Sequence, residues 1–223
     1  MDSQTPTIIF DICDTLYYSN TTHDFIRFAI AKEPMSQRKI FYNVLNAKYL
    51  PFRYLLIFFS VATGRDILRS YNVSLLKGVS RTELAEAAKR FVHEFLSSRK
   101  IDETQEMLKS RTDPGTRIVL CSASIEPVVE AIANELGIKH HVGTSLRFND
   151  DIFTGRIFED ITGKKLSVLK ENNLVGRLTC AVSDNLSDLE LLSEAEHAFV
   201  VVHRGKKAEF WQKYNFEIIY LNS

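Results

Sequence analysis

The stretch Thr7-Ile8-Ile9-Phe10-Asp11-Ile12-Cys13-Asp14-Thr15-Leu16 decides how the rest of the sequence is interpreted. A continuous apolar run is typical of a β-strand buried on both faces of a parallel sheet. Open α/β sheets bind their ligands at the carboxyl ends of such strands. Asp11 therefore stands where a functional carboxylate is expected, although a turn or helix cap would explain an isolated aspartate equally well.

Four later runs share this apolar and β-branched character: Arg117–Cys121, Thr179–Val182, Ala198–Val202 and Glu217–Tyr220. Helical patterns lie between the later runs, at Ile125–Leu136 (ended by Gly137), Leu166–Leu169 and Leu186–Leu192. Strands that alternate with helices predict an α/β fold, here a Rossmann-like, doubly wound parallel sheet. A hairpin is predicted between Leu146–Phe148 and Ile152–Ile157.

Residues 17–113 separate the first two predicted strands and are almost wholly helical in pattern. The predicted helices are Asp24–Ala31, Gln37–Tyr49, Tyr54–Tyr71 and Arg81–Ser98, the last with Ser80 as its N-cap. A simple crossover between parallel strands does not need so many residues. We therefore predict an α/β core formed by residues 1–16 and 114–223, with a helical cap inserted at residues 17–113. The active site is expected between them, where closure of the cap excludes water.

Composition excludes several classes of protein. The 223 residues are 45% hydrophobic and 25% charged, which is ordinary for a globular chain. The 28 basic residues balance the 28 acidic ones, so no strong attraction to nucleic acid or to a membrane is expected. Three cysteines without CxxC spacing predict neither a zinc ribbon nor a disulfide framework. The N-terminus lacks a secretory signal pattern, and we expect a cytoplasmic protein.

The most apolar segment, Tyr54–Ala62, has nine residues. A membrane-spanning helix needs about 20, so no membrane span is predicted. A buried cap helix is the ordinary interpretation, and contact between Leu55–Val61 and lipid is the alternative. The oligomeric state cannot be inferred from the sequence.

Polar side chains follow two further predicted strands. Cys121-Ser122-Ala123-Ser124 places a hydroxyl and a helix N-terminus, which can bind an anion, at the carboxyl edge of the sheet. The segment Ser183–Asp188 adds two carboxylates at the same edge, and Lys164 and Lys165 open the preceding helix. Carboxylates and phosphate oxygens together suit Mg²⁺, and an aspartate can attack phosphorus as a nucleophile.

Four segments carry these groups: those that contain Asp11, Ser122, Lys164-Lys165 and Asp184. In this order they resemble the haloacid dehalogenase-like superfamily, in particular its phosphoserine-phosphatase-like branch. The resemblance extends over nearly the whole chain. Ile118–Leu136 resembles the hydroxyl-bearing second motif, Thr144–Ile157 the branch's hairpin, Val182–Leu191 the acidic fourth motif, and Val73–Lys77 part of its cap. The resemblance implies a Mg²⁺-dependent hydrolase that acts on a small phosphorylated metabolite.

The resemblance also implies catalytic roles. Asp11 would be the nucleophile, and Ser122 would hold the transferring phosphoryl group. Lys165 would neutralise nucleophile and phosphate, with Lys164 as the competing assignment. Cys13 occupies the position of the usual acid/base residue.

The metal ligands implied by the resemblance are Asp11, the backbone carbonyl of Cys13, Asp184 and, directly or through water, Asp188. Metal-free dehalogenases of the superfamily typically carry Ser-Asn where this chain has Ser183-Asp184. The acidic residue here therefore favours a metal-dependent enzyme.

Cys13 is the main departure from the family pattern, because the phosphatases usually have aspartate there. Asp14 is one residue further along, on the opposite face of a strand-like segment, and is a poor substitute. A thiol is neutral at pH 7 and a weak hydrogen-bond donor. Loss of general acid–base catalysis removes a factor of roughly 10²–10⁴, or about 3–5 kcal/mol of transition-state stabilisation.

Three interpretations of Cys13 remain open. The protein is a phosphatase for substrates with good leaving groups, such as acyl phosphates; or a phosphotransferase or an enzyme that cleaves a different bond; or a protein that binds a phosphorylated ligand with little turnover.

The substrate would contact Ser122, Ala123 and Asn20. In the phosphoserine enzymes that this chain resembles, a glutamate holds the substrate's amino group, and the matching position here is Asn20. Their cap arginine falls at Ser70, although Arg69 is adjacent. Free phosphoserine is therefore disfavoured.

Overall fold

A computed structural model describes residues 5–31, 37–46, 66–206 and 208–221 of the chain. Its centre is a seven-stranded sheet with the order β4-β3-β2-β1-β5-β6-β7. The strands are Pro6–Phe10 (β1), Arg117–Ile125 (β2), His140–Asn149 (β3), Ile152–Glu159 (β4), Arg177–Ser183 (β5), His197–Val202 (β6) and Glu217–Tyr220 (β7). All neighbours are parallel except β3 and β4, which pair antiparallel. The predicted α/β fold with a mainly parallel sheet is confirmed.

Eight α-helices are described besides three short helical turns of other types. They are Thr21–Ala31 (α1), Gln37–Asn46 (α2), Ile67–Ser74 (α3), Arg81–Phe91 (α4), Asp102–Ser110 (α5), Glu126–Glu135 (α6), Lys165–Glu171 (α7) and Leu189–Glu194 (α8). A π-helical turn, Val92–Leu96, follows α4, and 3₁₀ turns cover Leu186–Asp188 and Trp211–Lys213.

The alternation of side chains along β1 divides the interior into two apolar clusters. Ile8 and Phe10 belong to the cluster that also includes Phe25 of α1 and Val129 of α6. Ile9 belongs to the other cluster, with residues of α7 and α8. Because successive side chains of a strand point to opposite faces, a continuous apolar run requires cover on both sides. Helices on both faces provide it.

The structure refines several predicted boundaries. The helix predicted over residues 81–98 begins, as expected, after Ser80, which forms a capping box with Glu83. It is α-helical only as far as Phe91 and continues as the π turn. The helix predicted over residues 186–192 begins as the 3₁₀ turn, with α8 starting at Leu189. The second predicted strand extends beyond Cys121 to Ile125. The hairpin is longer than predicted, because β3 begins at His140 and pairs with β2 before it turns into β4.

The helices of residues 17–113 pack against the sheet layer. Phe25 of α1 and Phe91 of α4 meet edge to face with ring centroids 5.6 Å apart, and both join the cluster that contains Val129 of α6. The division into core and cap at residues 17 and 113 stays a prediction. The apolar segment Tyr54–Ala62 and most of the helix predicted over 54–71 lie outside the described residues. Within the described ranges, no helix has the length and apolar character needed to cross a membrane.

Gly143 lets β3 approach the turn between β2 and α6 very closely. An ideal Cβ at this position would lie 2.9 Å from Glu126 Cα and 2.9 Å from Val129 Cγ2. It would also lie 3.1 Å from the carbonyl oxygen of Ser124. The absence of a side chain at this position therefore allows the edge that carries Ser122 and Ser124 to pack against its neighbour.

We predict that Gly143→Ala lowers the free energy of unfolding by about 1–3 kcal/mol through overpacking, and that Gly143→Val lowers it further. Intrinsic strand propensity ranks these residues in the opposite order, since valine favours strands over alanine. Urea denaturation of both variants separates overpacking from strand propensity, because overpacking makes the valine variant the less stable one and propensity makes it the more stable one. A valine variant as stable as the alanine variant would contradict the close packing at Gly143.

Candidate active site

The chemistry-bearing residues meet because β1 lies between β2 and β5. Asp11 follows the last residue of β1, and its backbone N–H donates to the carbonyl of Val182 in β5 at 2.9 Å. Ser122 lies on β2 and Asp184 directly follows β5. A cavity of about 180 Å³ opens here, and its lining includes Asp11, Cys13, Asn20, Arg69, Ser122, Ala123, Ser124 and Lys165.

Lys165 is the buried cation of this site. It is the first residue of α7 and is 4% exposed. Its Nζ lies 2.8 Å from Asp11 Oδ1 and 2.6 Å from Asp188 Oδ2. Lys164, the competing assignment, is exposed. Of the two lysines, Lys165 is the one that reaches Asp11.

Burial and pairing act in opposite directions on these charges. Burial alone would lower the pKa of Lys165, but the carboxylates of Asp11 and Asp188 raise it above its usual value, so the ammonium persists. Burial raises the pKa of Asp11, an effect that Lys165 opposes and Asp188 reinforces. One buried ammonium therefore faces two carboxyl groups, so the acidic groups of this buried cluster outnumber the basic ones.

Asp188 is held behind Lys165 rather than at the open rim. Its Oδ2 accepts hydrogen bonds from Lys165 Nζ and from Ser183 Oγ, both at 2.6 Å. Its Oδ1 is buried and has no hydrogen-bond partner among the described residues. A buried acceptor left unpaired is costly, and a water or a cation beside it would satisfy it.

Asp184 adds a further carboxylate close to Asp11. Thr15 Oγ1 lies 3.5 Å from both Asp11 Oδ2 and Asp184 Oδ1, and it accepts the backbone N–H of Asp184 at 3.1 Å. Burial, followed by the charges of Asp11 and Asp14, raises the pKa of Asp184 to about 7. The ammonium of Lys206 is 3.9 Å from Asp184 Oδ2 and is largely exposed.

These residues fit Mg²⁺, the cofactor that the family resemblance implies. The described side chains do not include a ready cage of three or more His, Cys, Asp or Glu ligands. Mg²⁺ does not need one, because it typically takes one or two carboxylates and completes its shell with waters and phosphate oxygens. The carboxyl groups of Asp11 and Asp184, which lie close enough to raise the pKa of Asp184, and the Oδ1 of Asp188 suit a divalent cation.

Cys13 lies among hydroxyl groups at the cavity wall. Its Sγ is 3.0 Å from Thr21 Oγ1, 3.1 Å from Ser124 Oγ and 3.9 Å from Ser122 Oγ. Thr21 and Ser124 are also hydrogen-bonded to each other. Burial and the nearby charge of Asp11 raise the pKa of the Cys13 thiol. The thiol is therefore neutral, and two hydroxyl groups surround the position where the family usually places a carboxylate.

Asp14 has a left-handed backbone, with φ of 48°. His203 Nε2–H donates to the carbonyl oxygen of Asp14 at 2.6 Å, and this contact ties the turn to the loop after β6. The charge of Asp14 contributes to the raised pKa of Asp184. Whether Asp14 can act in place of the usual acid/base residue stays a prediction from the sequence.

The part of the cavity wall that comes from residues 17–113 includes the polar residues Asn20 and Arg69. Asn20 is exposed and its Oδ1 accepts the backbone N–H of His23. Arg69 Nη1 donates to both carboxylate oxygens of Asp160, at 2.9 and 2.8 Å, and Nη2 donates to the carbonyl of Ala123. Ser70, by contrast, is exposed and donates to the carbonyl of Asp66. The arginine that reaches the site is therefore Arg69.

Sequence reasoning gave no site role to Thr15, Thr21, His203 or Lys206. Thr15 stands four residues after Asp11 in the quoted stretch, so its proximity to the site was visible in the sequence. Thr21 and His203 carried no comparable signal, because their contacts with Cys13 and Asp14 depend on how distant segments pack.

Comparisons with known proteins identify the family of the chain. The family of haloacid dehalogenase-like hydrolases matches residues 8–193. A protein named phosphoserine phosphatase SerB1 from Mycobacterium tuberculosis is 27% identical over 198 residues, which cover 85% of this chain and 62% of that protein. Protein CicA from Caulobacter vibrioides is 29% identical over 140 residues, or 60% of this chain and 62% of CicA. The chain thus spans less than two thirds of the length of these relatives.

Solved structures share the fold. A protein of unknown function from Bordetella pertussis superposes with a TM-score of 0.75 at 17% identity, covering 97% of this chain and 99% of that one. A phosphoserine phosphatase in apo form gives a TM-score of 0.58 at 19% identity, covering 96% and 94%. Likeness at this identity shows the fold, and the match over residues 8–193 shows the family. The chain belongs to the haloacid dehalogenase-like hydrolases.

Proposed function

We propose that this protein is a Mg²⁺-dependent phosphatase that transfers the phosphoryl group of a small phosphorylated metabolite to Asp11 and then to water. The observation that carries the proposal is the contact of buried Lys165 with Asp11 at 2.8 Å, beside Ser122 in the same cavity. An ammonium at this position neutralises both a carboxylate nucleophile and an incoming phosphate.

In the first step an oxygen of Asp11 attacks phosphorus, and the bond from phosphorus to the leaving oxygen breaks. Lys165 and Ser122 hold the remaining phosphoryl oxygens, while Asp188 and Ser183 fix the position of Lys165. Thr15 orients Asp11 through its hydroxyl. In the second step water attacks the aspartyl-phosphate, releases inorganic phosphate and restores the carboxylate of Asp11.

Asp11, Asp184 and the backbone carbonyl of Cys13 would hold Mg²⁺, with Asp188 in support through its unpaired Oδ1. When bound there, Mg²⁺ supplies positive charge that stabilises the phosphoryl group as negative charge builds up on its oxygens. This assignment also accounts for a cluster in which acidic groups outnumber basic ones.

Cys13 limits both steps. A thiol whose pKa is raised gives up its proton to a leaving alkoxide only weakly, and while protonated it cannot accept a proton from the attacking water. Substrates whose leaving group needs no proton, such as acyl phosphates, are therefore favoured over alkyl phosphates. The same neutral thiol supports the second candidate, a protein that binds a phosphorylated ligand with little turnover. A phosphotransferase, in which an acceptor other than water takes the phosphoryl group, is the remaining alternative.

Two residues of the cavity lining, Asn20 and Arg69, argue against free phosphoserine as the substrate. Asn20 offers an amide where an ammonium group needs a carboxylate, and Arg69 is already paired with Asp160. Both residues belong to the predicted cap, at residues 17–113. We propose that this cap selects the substrate and covers the site. A cytoplasmic location stays a prediction from the sequence.

We predict that Asp11→Asn abolishes turnover and prevents loading by beryllofluoride, a mimic of the aspartyl-phosphate, because an amide cannot replace the carboxylate oxygen. Native protein loads in the presence of Mg²⁺, as measured by ¹⁹F NMR. Asp14→Asn is the matched control, since it makes the same change three residues away and should still load. Equal loading of the native and Asp11→Asn proteins would show that another residue is the nucleophile.

We predict that Cys13→Asp raises hydrolysis of alkyl phosphates by part of the roughly 10²–10⁴ available from acid–base catalysis. Thr21 and Ser124 contact the thiol now and are hydrogen-bonded to each other, so at least one of the two hydroxyls can donate to the new carboxylate. Single-turnover kinetics should show a smaller gain for aryl or acyl phosphates, whose leaving groups need little proton assistance.

Cys13→Asn is the control for that experiment, because it has the shape of aspartate and no titratable proton. If both variants fold, bind Mg²⁺ and hydrolyse alkyl phosphates equally slowly, the missing acid is not the deficit. The binding-protein interpretation would then gain support, and it would replace the phosphatase if acyl phosphates were not hydrolysed either.

A further inference from the structure

A groove of about 610 Å³ lies between α5 and α6, on the side of the sheet where β2 and β3 begin. Basic side chains line it and define what we name the basic groove: Lys100, Lys109, Arg117, Lys139 and His140. Glu135 is the one carboxylate among its lining residues.

The basic groove is separate from the candidate active site. Arg117 is the first residue of β2, and Ser122 is five residues further along the same strand. At about 3.3 Å per residue, this separates the two ends of β2 by roughly 17 Å. The groove therefore lies at the amino edge of the sheet and the catalytic cluster at its carboxyl edge.

Charge in the basic groove departs from the balance of the whole chain, which is neutral overall. Lys100, Lys109 and Lys139 form no ion pair with any carboxylate in the part of the chain that the structure describes. Arg117 donates to the backbone carbonyls of Asn173 and Leu174, which leave its charge uncompensated.

The surrounding helices do not remove this surplus. Both α5 and α6 end at the groove, and the C-terminus of a helix carries about half a negative elementary charge. The two helix ends together contribute about one negative charge, and Glu135 contributes another. They therefore balance only about two of the four positive charges of the three lysines and Arg117. Burial, followed by the charges of Arg117 and Lys139, lowers the pKa of His140, in agreement with a local positive potential.

The floor of the basic groove has a different character. Leu108, Ile118, Leu136 and Ile138 form an apolar surface there, and Leu108 is 5% exposed. Gln105 adds a single amide, whose Nε2 donates to the carbonyl of Leu16. Pockets of 300–1,000 Å³ with apolar walls and a few polar groups are typical binding sites for small organic molecules. An apolar floor beneath a cationic rim suits a ligand with a planar or apolar body and anionic groups.

We propose that the basic groove is a second ligand site, which binds a small organic anion with a planar body and at least two negative charges, such as a nucleoside diphosphate. The cationic rim contacts the phosphates, and the apolar floor contacts the ring system.

Isothermal titration calorimetry with adenosine diphosphate, in EDTA so that Mg²⁺ does not support turnover, tests this proposal. We expect binding that Lys109→Gln with Lys139→Gln weakens at least tenfold. Lys89→Gln with Lys170→Gln is the matched control, since it removes the same charge from exposed lysines outside the groove. Hydrogen exchange should show protection in residues 105–118 and 135–140. Inorganic pyrophosphate, which lacks the planar body, should bind more weakly.

Three results would overturn the proposal. They are no binding of adenosine diphosphate below 1 mM, equal weakening by the groove and control substitutions, and equal affinity for adenosine diphosphate and pyrophosphate. Thermal unfolding of each double variant checks that the fold is retained. Hydrolytic activity does not enter any of these measurements, so their outcome is independent of the proposed phosphatase function.

Discussion

The buried contact of Lys165 with Asp11 and Asp188 is the interaction on which the rest of the site depends. Burial of an ammonium costs several kcal/mol unless carboxylates surround it, and removal of one partner from such a pair typically costs about 3–5 kcal/mol. The sheet order places β1 beside β5, so that Asp11 and Asp188 reach the same ammonium at the start of α7. Two further carboxyl groups, those of Asp14 and Asp184, lie close by, so the acidic groups of the cluster outnumber its two ammonium groups, Lys165 and the largely exposed Lys206. That surplus makes a divalent cation a natural part of the site.

Cys13 is the position at which this chain departs from the pattern of the phosphatases that it resembles. The charge cluster, Ser122 and the cavity are all present, and only the group that would exchange protons with leaving group and water is altered. The thiol sits among the hydroxyls of Thr21 and Ser124, which satisfy it as a neutral group. Under the proposed mechanism, a phosphoryl intermediate therefore forms more readily than it is hydrolysed. The same neutral thiol therefore underlies both the proposed preference for good leaving groups and the alternative of a phosphate-binding protein with little turnover.

The sequence predicted the sheet, its parallel strands and the acidic and hydroxyl residues at its carboxyl edge, because each depends on a local pattern: an apolar run followed by polar residues. It left Lys164 and Lys165 unresolved, since a one-residue shift at the start of a helix decides which side chain turns inward. The contacts of Arg69 with Asp160, of His203 with Asp14 and of Thr21 with Cys13 could not be predicted. Each joins segments that are distant or differently oriented in the fold, and no periodicity in the sequence records such contacts. The basic groove was hidden for the same reason, because its lysines are dispersed along a chain of zero net charge.

Titration of the protein with Mg²⁺ by calorimetry tests most directly the central claim that this carboxylate cluster holds a cation. The account predicts one Mg²⁺ site in the native chain and at least tenfold weaker binding in Asp184→Asn, with the fold retained because the amide has the shape of the carboxyl group that it replaces. Glu190→Gln, which removes the same charge from an exposed position on α8, should bind as the native protein does. Equal Mg²⁺ affinity in the native and Asp184→Asn proteins would contradict the metal assignment and, with it, the proposed Mg²⁺-dependent mechanism.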